Sequence, residues 1–130
     1  MRTFQLLTLA VLSRSAVAAV VYSIPDAYLG HWGASAAACT TPTEDPLHIL
    51  IERGRVVFPE SVAYAAAVVT DGPRGLSLAL RSTPGAVPSA GAELADQLLV
   101  LTLSQDGQQL STMSEGKVIL TRTRCAVPSD

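Results

Sequence analysis

The fold class that this 130-residue sequence predicts is all-β: a small antiparallel up-and-down barrel of about eight strands, carrying one disulfide. Three observations lead there. Short apolar runs alternate with turn residues at spacings of roughly eight to twelve, the rhythm of a sandwich or barrel. Within the runs, apolar residues recur at every second position, as in a strand with one buried face. Two cysteines, Cys39 and Cys125, stand near opposite ends of the region that carries this pattern.

The first residues belong to a different category. Arg2 precedes the apolar run Phe4 to Leu12, and Ala16-Val17-Ala18-Ala19 offers small residues for processing. That layout predicts a secretory signal peptide over 1–18 and a single domain over 19–130. The apolar run is about half of what a membrane span needs, so none is expected after processing. An exported chain lives in the periplasm or outside the cell, where a lone cysteine pair most often forms a disulfide.

The arm Val20 to Asp26 comes next. Val21, Tyr22 and Ile24 are bulky and apolar, and Pro25 biases Ile24 toward an extended backbone. Such a segment either plugs one barrel end or docks on a partner. The first strand surrounds Trp32, the only tryptophan, which is expected to close a barrel end. Leu47, Ile49 and Ile51 alternate with His48, a half-buried strand with His48 turned to solvent. Arg53-Gly54-Arg55 makes a turn through positive φ at Gly54, and Val56-Val57-Phe58 follows until Pro59 stops it. Tyr64 to Thr70 has Tyr64, Ala66 and Val68 on one face. Asp71-Gly72-Pro73 then breaks the run. Leu76, Leu78 and Leu80 form the clearest strand. Ser82 to Gly91 reads as a loop, and Glu93 to Leu103 as a strand from about Gln97 with room for a helical turn before it. Asp106-Gly107 and Ser114-Glu115-Gly116 turn the last two strands, Gln109 to Met113 and Lys117 to Arg124. In a closed barrel the last strand neighbours the first, so Arg122 or Arg124 is expected to stack on Trp32.

Charge and chemistry exclude more than they assign. A formal net charge of −2 with no basic stripe argues against nucleic acid. His31 and His48 are the only histidines, and neither has a nucleophile in a strained-turn context such as Gly-x-Ser-x-Gly. No enzyme and no cofactor or metal is expected. Glu44-Asp45 reads as a solvated loop, whereas Glu60-Ser61 ends a strand where a barrel mouth opens. Aromatics are scarce, so the core is built from Leu, Val, Ile and Ala, with few anchors for a large interface. A monomer is expected.

Tyr28-Leu29-Gly30-His31-Trp32-Gly33, Cys39, Val57-Phe58-Pro59-Glu60-Ser61 and the terminal Thr123-Arg124-Cys125 together resemble the small exported Gly-x-Trp…Cys proteins of Gram-negative bacteria. Those are lipocalin-like in outline and mostly of unassigned function. The Thr-Asp-Tyr motif of lipocalins proper is absent. An early Gly-x-Trp, a disulfide and an eight-stranded barrel are also similar to the bacterial inhibitors of metalloproteases, which insert an N-terminal segment into the enzyme. In this chain the corresponding stretch is Val20 to Asp26. The resemblance implies an exported, non-enzymatic binding or inhibitory module whose partner is a periplasmic or secreted protein. A carrier of a small apolar ligand and an envelope structural protein are the alternatives.

Overall fold

The period-two runs form strands in a computed structural model that describes residues 18–82 and 97–126. The strands are β1 (Ala18–Val21), β2 (Gly30–Gly33), β3 (Ile49–Ile51), β4 (Arg55–Phe58), β5 (Ser61–Asp71), β6 (Gly75–Arg81), β7 (Gln97–Leu103), β8 (Gln109–Ser114) and β9 (Lys117–Arg124). Single 3-10 turns lie at Asp26–Tyr28, Ala38–Thr40 and Pro42–Glu44. From β2 onward each strand pairs antiparallel with the next, and β9 returns to β2. The chain is a closed eight-stranded antiparallel barrel, the architecture that the alternating pattern predicts. Residues 83–96, which hold most of the expected Ser82 to Gly91 loop and the helical turn allowed for before Gln97, lie outside the described residues.

One strand was not anticipated. β1 pairs with the far half of β5, from Ala18↔Asp71 to Val21↔Val68. It finds room there because β4 covers only Ser61 to Tyr64 of the long β5. β1 begins at Ala18, the residue before the expected cut.

The inward faces carry the core. Leu76, Leu78 and Leu80 of β6 are at most 1% exposed, and Ile49, Ile51, Val56, Leu101 and Leu110 face them from around the ring. Each such side chain contributes about 1.5–3 kcal/mol by leaving water. Ile24, Tyr28 and Trp32 close one end and are equally buried.

Two local expectations need correcting. On β5 the buried residues are Ala63 and Val68, not a Tyr64-Ala66-Val68 face. The register with β6 shifts between Ala65 and Ala67. A bulge there inserts one residue and inverts the inward phase, leaving Ala66 outside. The turn after β3 forms without positive φ at Gly54. It is closed instead by Glu52 N–H donating to Arg55 C=O at 2.9 Å. Left-handed backbone appears at Glu115 (φ 52°) and Gly116 (φ 79°), the mirror-image turn that matches strand twist.

Candidate functional site

The seam between β2 and β9 organises the charged and polar side chains. Only Trp32↔Arg124 and Gly33↔Thr123 pair across it. One more backbone bond, from Cys125 N–H to His31 C=O at 2.9 Å, extends the seam, and side chains reinforce it. Arg124 lies over the Trp32 ring at 4.2 Å from its centroid. Its guanidinium donates to three backbone carbonyls, Gly107 at 3.0 Å, Leu29 at 2.9 Å and Ala27 at 2.6 Å. Trp32 Nε1 donates to the Tyr28 carbonyl at 3.0 Å. Of the two arginines expected near the indole, Arg124 therefore takes the position. Arg122 points into the barrel two residues away and is 7% exposed. Its Nε donates to Leu47 C=O at 2.6 Å and its Nη1 to Thr112 Oγ1 at 3.1 Å. Burial pushes its pKa down, and Asp45 opposes that.

Asp45 is not the solvated loop residue the sequence suggests. It is buried, and its carboxylate accepts from Ala34 N–H and Leu47 N–H, both at 2.9 Å. Burial alone would raise its pKa. The two backbone donors, with His48 and Arg122 nearby, outweigh that and hold it below the usual carboxylate value. Beside it, Cys39 and Cys125 form the expected disulfide, with Cα atoms 5.5 Å apart and 86 positions between them in sequence. A side chain at Gly33 would meet Asp45 Oδ2 at 3.1 Å and the two sulfurs at 3.2 and 3.3 Å. Strand, loop and disulfide converge on that one glycine.

On the outer wall the structure brings together two residues that the sequence kept apart. His31 of β2 and His48, just before β3, lie side by side, with Nδ1 of the first 2.9 Å from Nε2 of the second. Their ring centroids are 5.0 Å apart. His31 is exposed. His48 is half-buried rather than turned to solvent, and its Nδ1 has no hydrogen-bond partner among the described residues. Burial, chiefly, and the facing His31 hold the His48 pKa below the usual imidazole value, against the pull of Asp45. The reason for the correction is the loop 34–48. Its Pro42 and Thr43 border the same groove as the two rings, a closeness that strand alternation alone does not reveal.

The histidine pair borders a groove of about 300 Å3, whose apolar wall is Leu50, Val57, Phe58, Pro42 and Pro59. A second, wider cleft of about 720 Å3 lies beside the β4–β5 turn. Glu44, Asp45, Glu60 and Ser61 border it, so the strand-end pair singled out in the sequence does face a cleft. Farther round, Leu98 and Val118 are exposed on the outer face of β7 and β9.

The N-terminal arm divides. Ile24 is fully buried at the barrel end, its N–H donating to Arg53 C=O at 2.9 Å, so it is not free to dock. Val21 packs against the core. Val20 and Tyr22 stand in solvent, Tyr22 completely. As chemistry, the site offers hydrogen bonding and apolar contact: among the described residues, each imidazole's side-chain partner is the other imidazole.

No known protein family matches the chain, and neither a curated protein nor a solved structure shows significant similarity to it.

Proposed function

We propose that this protein is an exported, non-enzymatic binding module of the cell envelope or extracellular space that engages a protein partner through its outer wall. The observation that carries the reading is where space and side chains lie. The barrel interior is taken up by Trp32, Tyr28, Ile24, Leu78, Leu101 and Leu110, all at most 2% exposed. The apolar groove of about 300 Å3 lies outside, over β2 to β4. A carrier of a small apolar ligand needs the reverse arrangement. The disulfide supports an oxidising setting. A periplasmic or secreted location rests in addition on the leader-like start at Arg2 and Ala16 to Ala19. The likeness to exported Gly-x-Trp…Cys proteins is part of the same proposal.

The test is a pair of outward substitutions, Leu50→Asp and Val57→Asp, in protein purified from its exporting host. Loss of a co-purifying partner at unchanged melting temperature supports the reading. Saturable uptake of an apolar fluorescent probe that neither substitution disturbs would favour the carrier instead. Intact-mass measurement of the exported chain checks the location. A start at Ala19 or Val20 is expected, and a mass that retains 1–18 sinks it.

An inhibitory role for the arm is the second reading, favoured by the exposure of Val20 at 77% and Tyr22 at 105% on a strand that, among the described residues, pairs with β5 alone. Deleting Val20 to Ser23 separates the two roles. Lost binding with an unchanged melting temperature means docking. Retained binding with a drop of several degrees means that the arm serves the fold.

A further inference from the structure

We propose that His31 and His48 form a two-imidazole site for a divalent copper ion on the outer wall of the barrel. The chain has two histidines in 130 residues, and the fold sets them against each other. The distance is the first argument. Two nitrogens bound to one ion through bonds of about 2.0–2.1 Å lie roughly 2.8–3.0 Å apart at a right angle, and roughly 3.3–3.4 Å apart in a tetrahedron. His31 Nδ1 and His48 Nε2 are 2.9 Å apart. That contact is a hydrogen bond in the metal-free protein, and it brings both nitrogens within reach of one ion, in a range that the square-planar geometry of copper(II) and nickel(II) accepts. Copper(II) also stands highest among these ions in affinity for nitrogen donors.

The frame is the second argument. His31 sits within β2, and its carbonyl accepts from Cys125 N–H at 2.9 Å. The backbone N–H of His48 donates to Asp45 C=O at 3.1 Å. The disulfide ties the two segments together. Both rings are therefore delivered by backbone that is already fixed; the proton shared in their hydrogen bond moves to the other nitrogen of its ring or to solvent, and small side-chain rotations then aim both nitrogens at a shared ion. His48 Nδ1, on the buried side of its ring, carries the proton when Nε2 ligates.

No group of three or more His, Cys, Asp or Glu side chains suited to a metal occurs among the described residues. The pair supplies two ligands, and solvent completes the shell. This makes the site open and exchangeable, unlike a closed structural zinc centre. The inference does not depend on the proposed role of the neighbouring groove.

The experiment is a titration of copper(II) into the exported, disulfide-intact protein at neutral pH, followed by electron paramagnetic resonance. One equivalent should bind, with hyperfine structure from two imidazole nitrogens. Affinity should fall by at least about tenfold in His31→Ala and in His48→Ala. Zinc should bind more weakly than copper. Thermal unfolding without metal checks both variants, and the exposed His31 gives a variant that keeps its fold even if His48→Ala does not. An unchanged affinity in His31→Ala, or a spectrum lacking imidazole nitrogen, overturns the proposal and assigns the copper to other donors such as the α-amino group.

Discussion

Two junctions of the same barrel are built by different means. β5 and β6 meet along a ladder from Tyr64↔Arg81 to Asp71↔Gly75, interrupted once by the bulge. β2 and β9, which close the ring, share two paired positions. The first junction is local, joined by a tight turn. The second unites chain segments some ninety residues apart, and its strands overlap briefly because β2 is only four residues long. Where the ladder is short, side chains take over: a disulfide, a guanidinium over an indole, and a buried arginine and aspartate that bind loop carbonyls and amides. Backbone pairing suffices when the connection is short. Long-range closure in a small domain needs specific staples, because more chain entropy opposes it.

The comparison predicts a ranking. Replacing both cysteines by serine should have the largest effect, a loss of about 4–5 kcal/mol in the chain-entropy account of so long a loop. Denaturant unfolding of the oxidised protein and the double variant measures it. A loss below about 1 kcal/mol would mean that the seam closes without its covalent staple.

Arg124→Met comes second. It removes the stacked cation and leaves three carbonyls short of a donor, for an expected loss of about 3 kcal/mol. An outward change on the ladder junction, Ser77→Ala, should stay within about 0.5 kcal/mol. Equal losses in the two variants would erase the distinction between the junctions.

Asp45→Asn is third, at about 2 kcal/mol near neutral pH, since two charge-assisted amide bonds weaken. Its sign with pH is fixed by the lowered pKa. The carboxylate's contribution is complete above the ordinary aspartate value near 4 and is lost as pH falls from there toward the folded value. The native protein should therefore lose stability on that acid limb, and Asp45→Asn should flatten it. An unaltered limb would show that other carboxylates govern acid unfolding.

The smallest effect belongs to His48→Gln. The folded state favours neutral His48, so the unfolded chain takes up the proton first. Native stability should decline as pH drops below about 6.5 and level off beneath the folded pKa. The glutamine variant should lack that step. A step that persists in His48→Gln assigns the titration to another group.

The sequence by itself determined the barrel and most of its strands. Leu76-Leu78-Leu80 writes its buried face directly as a two-residue period, Leu99-Leu101-Leu103 does so beside a competing helical spacing of Leu94, Leu98 and Leu101, and Asp106-Gly107 and Glu115-Gly116 write their turns as local backbone preferences. The Cys39–Cys125 pairing was legible because no other partner exists for either cysteine. The Trp32 stack was legible as well, because a closed ring makes its first and last strands neighbours.

Only the tertiary structure decided the rest. The β5 bulge depends on how two strands accommodate each other, and the run Ala65-Ala66-Ala67 carries no phase of its own. β1 pairs with β5 because β4 is short, a vacancy that no residue of β1 announces. Asp45 and His48 owe their burial to the placement of the loop 34–48. The meeting of His31 and His48 depends on the register of β2 against β3 across that same loop. Periodicity reports which way a side chain faces within its own strand. It cannot report what another segment, arriving from far along the chain, lays on top of it.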